Sequence, residues 1–319
     1  MNPYIGHPNQ LSGFLRFTYT EGLMQGMSAI EVYNRSGLRF TVLPDRGLDI
    51  GFASYKGNSL VHVSKSGFAA SPYYQNSGAE WLRTFGCGLL CTCGLTQVGP
   101  PVTVDGADYG LHGRISAIPA TEVCTRRYYE EDDEVLEISG KVTQAVLFGE
   151  YLELHRVIKT YAQKNIIEID DTITNKAFSK ELLMVLYHCN FGYPLLSENS
   201  VLAFNAASTV PRDEQAKKGM DNPQKILPPT KDFAEQVFFH SGVNSASIKS
   251  GFCTVTMEWN AGSLDKFTQW NSFGCGDYVM GLEPGNCNPI GRAAQLDSPD
   301  AQYLDSGESK TNKLKFIIS

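Results

Sequence analysis

An all-β fold is what this chain predicts, and three observations predict it. Apolar residues alternate with period two along most of the 319 residues, helical periodicity is scarce, and the strand-like segments are too many for one flat sheet. About twenty short strands have to stack, so the expectation is a large sandwich or barrel-like arrangement of antiparallel sheets.

The elements follow in order. Residues 29–34 alternate, Asn34-Arg35-Ser36-Gly37 makes a turn, and residues 38–43 alternate again, which is a hairpin. Residues 48–55 continue the pattern, Lys56-Gly57-Asn58-Ser59 turns it, and residues 60–63 resume it. Further strands are read at 135–143, 152–160 and 166–174, the last placing Ile167, Ile169 and Ile173 on one face with Asp171. An apolar strand at 182–186 precedes His188, and residues 252–259, 278–282 and 313–318 are rich in β-branched and aromatic residues. Only residues 78–85 and 212–220 have room for a short helix. The Pro-, Lys- and Asp-rich run 211–232 reads as a long functional excursion rather than a boundary. With no internal repeat and no low-complexity linker, residues 1–319 are expected to form a single domain.

Composition narrows the function classes. A formal charge of −7 and a pI near 5.4 argue against nucleic acid, whose phosphates need a basic surface. No run approaches the ~18 apolar residues of a membrane span, and the opening MNPYIGHPNQ lacks the pattern of a secretion signal, so a cytoplasmic protein is expected. The eight cysteines contain no CxxC pair, and Cys87, Cys91 and Cys93 lack a second ligand pair for a metal, so reduced thiols and no metal are expected. No G-x-S-x-G, no G-x-G-x-x-G after a strand and no Walker loop occurs, which leaves acyl transfer, dinucleotide chemistry and nucleotide hydrolysis without support.

Five polar stretches interrupt the apolar pattern. "LPDRGLDI" around Arg46 reads first as a turn with a solvated arginine. "EWLRTFGCGLL" reads as a buried aromatic cluster with Arg83 reaching outward. "YGLHGRIS" sets His112 between two glycines, a turn by itself. "LYHCNFGYP" places His188 at a strand end beside Asn190, consistent with a satisfied core histidine. "GLEPGNC" caps an apolar strand with Glu283 and follows it with Asn286; there a desolvated carboxylate would have a raised pKa suited to proton transfer, unless it pairs with Arg292 or Arg46. Two histidines, one glutamate and two or three arginines, all at strand ends or glycine-rich turns, suit proton transfer on a polyhydroxylated substrate.

In this order, over residues 27–319, the five stretches resemble the galactose-mutarotase-like superfamily and, within it, aldose 1-epimerase family proteins. The resemblance implies a large antiparallel β-supersandwich with its site in a cleft on one sheet, and a cofactor-independent sugar 1-epimerase. Carried over by motif, Glu283, ionised, would take the proton of the C1 hydroxyl while protonated His188 gives one to the ring oxygen. His112 would hold the ring. Arg46, Arg83 and Arg114 would bind hydroxyls or, if they converge, an anionic group; Asn190 and Asn286 would add polar contacts, and Glu235 stands for an acidic sugar contact. Galactose mutarotases read "LHGG" and "LET" where this chain has "LHGR" and "LEP", so Arg114 is expected to bear on which sugar is accepted. The expected partner is a small sugar, the expected assembly a monomer or homodimer. A non-catalytic sugar binder or sensor, or another sugar epimerase or isomerase working through the same open-chain intermediate, is the alternative.

Overall fold

The computed structural model describes residues 3–319 and contains three large antiparallel sheets. A five-stranded sheet runs in chain order from Gly13–Thr18 through Ser28–Tyr33, Leu38–Leu43 and Asp49–Tyr55 to Asn58–Ser59. An eight-stranded sheet has the spatial order Val201–Ala203, Ser245–Lys249, Thr254–Trp259, Ser309–Ile318, Ile166–Asn175, Tyr151–Tyr161, Asp133–Ala145, Thr121–Glu130. The six-stranded sheet is ordered Ser208–Pro211, Gln236–Ser241, Lys266–Gly274, Asp277–Gly285, Met184–Gly192, Cys91–Leu95. This is the antiparallel β-supersandwich expected. No helix among the described residues is long and apolar enough to cross a membrane.

One apolar core joins the three sheets. Tyr187, Phe191, Met280 and Leu282 of the six-stranded sheet meet Ile138, Leu154, Ile169 and Phe316 of the eight-stranded one and Phe40, Val42 and Ile50 of the five-stranded one. Period-two burial follows wherever one face meets water, as in Ile166–Asn175, whose residues alternate half-buried and buried. Strand Met184–Gly192 is buried at every position, because a second apolar cluster around Trp81, Phe85, Met184 and Leu186 covers its other face. A strand covered on both faces reads as an unbroken apolar run.

A charged cluster lies inside this core. The Arg156 guanidinium, fully buried, donates to both oxygens of Asp171 at 2.8 and 2.6 Å, to Asp49 Oδ1 at 2.6 Å and to Thr92 Oγ1 at 2.8 Å. The Tyr187 hydroxyl donates to Asp171 Oδ2 at 2.8 Å. All three sheets thus share one ion network, in which each buried charge has an opposite partner and several hydrogen bonds. Asp171 does lie on the isoleucine face read from the sequence, and Arg156 from the neighbouring strand is its counter-charge.

Some elements differ from expectation. Residues 60–63 form only isolated bridges, Val61 to Phe191 and Val63 to Cys87. The two short helices shrink to a 3₁₀ turn, Glu80–Arg83, and one α-helical turn, Glu214–Lys217, and a further short helix forms at Arg292–Leu296. His188 and Glu283 both lie inside strands rather than at their ends, since Met184–Gly192 and Asp277–Gly285 run past them.

Candidate active site

Backbone register brings the two strand-borne groups together. In Met184–Gly192 the odd residues point into the intersheet core, so Leu186, His188 and Asn190 face the other way. Leu186 pairs with Gly285 and Cys189 with Leu282, which sets His188 beside Glu283. Their side chains meet at 3.3 Å, His188 Nε2 to Glu283 Oε1, a contact short of hydrogen-bond alignment. On the next strand Thr268 stands opposite Glu283 and Trp270 opposite Gly281. Gly281 makes the room: a Cβ there would collide with Glu283 Oε1 and press within 3.1 Å of the Trp270 ring.

His112 arrives from a turn. It has φ 57° and Gly113 has φ 71°, two successive left-handed residues. The His112 N–H donates to the Gly99 carbonyl and its own carbonyl accepts from the Gly94 N–H, both at 3.0 Å. Such a φ costs a non-glycine residue about 1–2 kcal/mol, which these two bonds help offset. A side chain at Gly113 has no space, because its Cβ would lie 2.8 Å from the Gln97 carbonyl. The His112 ring then stands 5.8 Å from that of His188, edge to face, and 5.0 Å from Trp81. Phe85, stacked on Trp81 at 4.0 Å, and Trp270 meet the His188 ring edge-on at 5.1 and 5.4 Å.

Four polar atoms around this space are buried with no hydrogen-bond partner among the described residues: His112 Nδ1, His188 Nδ1, Glu283 Oε1 and Thr268 Oγ1. Each such atom costs roughly 1–3 kcal/mol of lost hydration, so these side chains keep unspent hydrogen-bonding capacity. Burial also sets the charges. It lowers the His112 pKa to about 4, pulls His188 well below the ordinary imidazole range and pushes Glu283 well above the ordinary carboxylate range. Burial thus disfavours the charged form of both groups, the carboxylate of Glu283 and the imidazolium of His188.

The remaining predicted residues are distributed differently. Glu235 joins the site's wall, accepting from Trp270 Nε1 and from Arg212, each at 2.8 Å. Asn190 donates to the His188 and Gly88 carbonyls, and its Oδ1 stays unpartnered. Asn286 spends its amide inside the protein, donating to the Leu183 carbonyl and accepting from the Val185 N–H, so it pins strands and does not reach the cleft. Arg46 is likewise turned inward, donating to the Ala69 and Thr84 carbonyls. Arg83 is exposed and paired with Glu80, and Arg114 is exposed near Tyr74. Arg46 and Arg114 both lie near Tyr74, whereas Arg83 stays with Glu80. Glu283 does not meet Arg292, which donates to the Thr96 carbonyl. Sequence reasoning did not name Thr268, Trp270 or Arg212; the alternation Thr268, Trp270, Ser272 was the available signal for the first two, and Arg212 lies in the run 211–232 read as a functional excursion.

The architecture has known counterparts. A Klebsiella pneumoniae protein provisionally assigned as an aldose 1-epimerase superposes with TM-score 0.89 at 23% identity, over 96% of this chain and 83% of that one. A galactose mutarotase-like protein from Clostridium acetobutylicum gives 0.69 at 13% identity over 98% and 99%, and galactose 1-epimerase from Lactobacillus acidophilus 0.64 at 13% over 97% and 99%. The fold is that of the galactose mutarotase-like superfamily. Within it, residues 24–318 match the family described as a domain of unknown function, DUF4432, and the chain belongs to that family. No curated protein matches the chain in sequence.

Proposed function

We propose that the protein is an aldose 1-epimerase that interconverts the α and β anomers of an uncharged sugar without a cofactor. The observation that carries the reading is the convergence of His112, His188 and Glu283, with their unpartnered buried atoms, beside the aromatic walls of Trp81, Phe85 and Trp270. Aromatic faces suit the C–H surface of a sugar ring, and the polar atoms suit its oxygens. An uncharged substrate fits the engagement of Arg46 with backbone carbonyls and of Arg83 with Glu80.

The pair shares one proton. Passage of that proton from Glu283 to His188 across their 3.3 Å contact arms the site. The Glu283 carboxylate then takes the C1 hydroxyl proton, the electrons of that O–H bond form the C1 carbonyl, and the C1–O5 bond breaks as His188 protonates O5. Rotation about C1–C2 and reversal of both transfers close the other anomer. Proton affinities brought together by burial keep the transfers from crossing a large energy step. His112, neutral at pH 7, hydrogen-bonds the sugar without competing for the proton.

Anomer exchange across a panel of neutral aldoses, followed by NMR, tests this. Wild-type protein should accelerate exchange of at least one sugar, and Glu283→Gln should lose it by about 100-fold or more, the usual weight of a general acid–base group. His188→Ala should lower kcat more than it weakens binding, because the proton to O5 is given only in the transition state. Sugars that bind with no accelerated exchange would make the protein a binding module instead.

A further inference from the structure

Arg212 belongs to the 211–232 excursion, yet its guanidinium reaches back to the cleft. It donates to Glu235 Oε1 at 2.8 Å and to Asp213 Oδ2 at 2.9 Å, while Trp270 Nε1 donates to Glu235 Oε2. Trp270 in turn stands edge-on to His188 and flanks Gly281, over which the Glu283 carboxyl lies. Asp213 also caps the helical turn Glu214–Lys217, accepting from the Ala216 N–H at 2.9 Å, which anchors the excursion at the point where Arg212 leaves it. Hydrogen bonds thus link Arg212, Glu235 and Trp270, and Trp270 and the Glu283 carboxyl both border the space over Gly281.

We propose that Arg212 is a positioning residue of this site, holding Glu235 against Trp270 so that the excursion sets both the shape of the sugar-binding wall and the charge that Glu283 faces. The proposal rests on the epimerase reading for its catalytic consequence, not for its electrostatics. Glu235 and Arg212 act on Glu283 with opposite sign, the carboxylate favouring its protonated form and the guanidinium its ionised form. The other titratable groups around Glu283 are His188 from the adjacent strand, His112 from its turn, Asp213, and the thiols of Cys87, Cys93 and Cys189, which burial keeps protonated. Of these, Asp213 is itself paired with Arg212 at 2.9 Å and loses that partner in Arg212→Met, whereas Glu235→Gln leaves the pair in place.

Two variants separate positioning from a merely structural role. In the ligand-free full-length protein, the Glu283 carboxyl is titrated by its infrared C=O band, assigned by its loss in Glu283→Gln. Arg212→Met should move that titration to higher pH and Glu235→Gln to lower pH, with Arg212→Lys between wild type and Arg212→Met. Where anomer exchange is observed, its alkaline limb should move in the same two directions, and Arg212→Met should raise KM by loosening Glu235. Shifts of one sign in both variants, or none in either, would overturn the proposal. If Arg212→Met does not fold, Glu235→Gln and Arg212→Lys still carry the test. Opposite infrared shifts with no exchange of any sugar would leave the Arg212 assignment standing and sink the epimerase reading alone.

Discussion

Glu283 rests where its charge is disfavoured, and that has a consequence for stability. A carboxyl whose folded pKa lies above its unfolded value favours folding below about pH 4.5 and loses that advantage as pH rises towards the folded value. At neutral pH the native state therefore carries a cost that a neutral amide does not. Glu283→Gln should raise the thermal midpoint at about pH 8, with the gain shrinking to nothing near pH 4, as melting curves at both values would show. Equal midpoints at both values would contradict a raised pKa. His112 carries a second cost, its left-handed backbone, in a turn fixed by hydrogen bonds to Gly94 and Gly99. The identities of these residues were legible in the motifs, but the roles of Arg46 and Asn286 were not. A turn arginine and a loop asparagine look alike in sequence whether they face a cleft or backbone carbonyls.

At the level of the element, the site depends on which face of each strand is turned to the cleft. Gly281 is the critical position of Asp277–Gly285, since its missing side chain lets Glu283 lie beside Trp270. Gly281→Ala should fold, because the position lies on the cleft face, and should displace the carboxyl. A shift of about 1 Å at a reacting group costs on the order of 100-fold, so exchange should fall by about that factor while the circular dichroism spectrum is kept. A Gly281→Ala enzyme of full activity would show that Glu283 does not react from this position. The strands with one wet face were legible from alternation, as in Ile166–Asn175. Met184–Gly192 was not, because a strand covered on both faces loses its alternation, and its end was misplaced at His188.

Across the whole molecule, the Arg156 network ties all three sheets together. Arg156→Met leaves Asp49 and Asp171 buried without a counter-charge, at a cost of about 3–5 kcal/mol. That loss should appear as one displaced transition, coincident by circular dichroism and by tryptophan fluorescence; two separate transitions would divide the chain. The sequence by itself determined the all-β class and showed the motifs that carry His112, His188 and Glu283, because alternation and motif order are local properties of the chain. Only the tertiary structure decided that Arg156 pairs with Asp49 and Asp171, that Arg212 reaches Glu235, and that burial disfavours the charged forms of Glu283 and His188. Those facts depend on strand register and on the depth of burial, both set by contacts between residues up to a hundred or more positions apart.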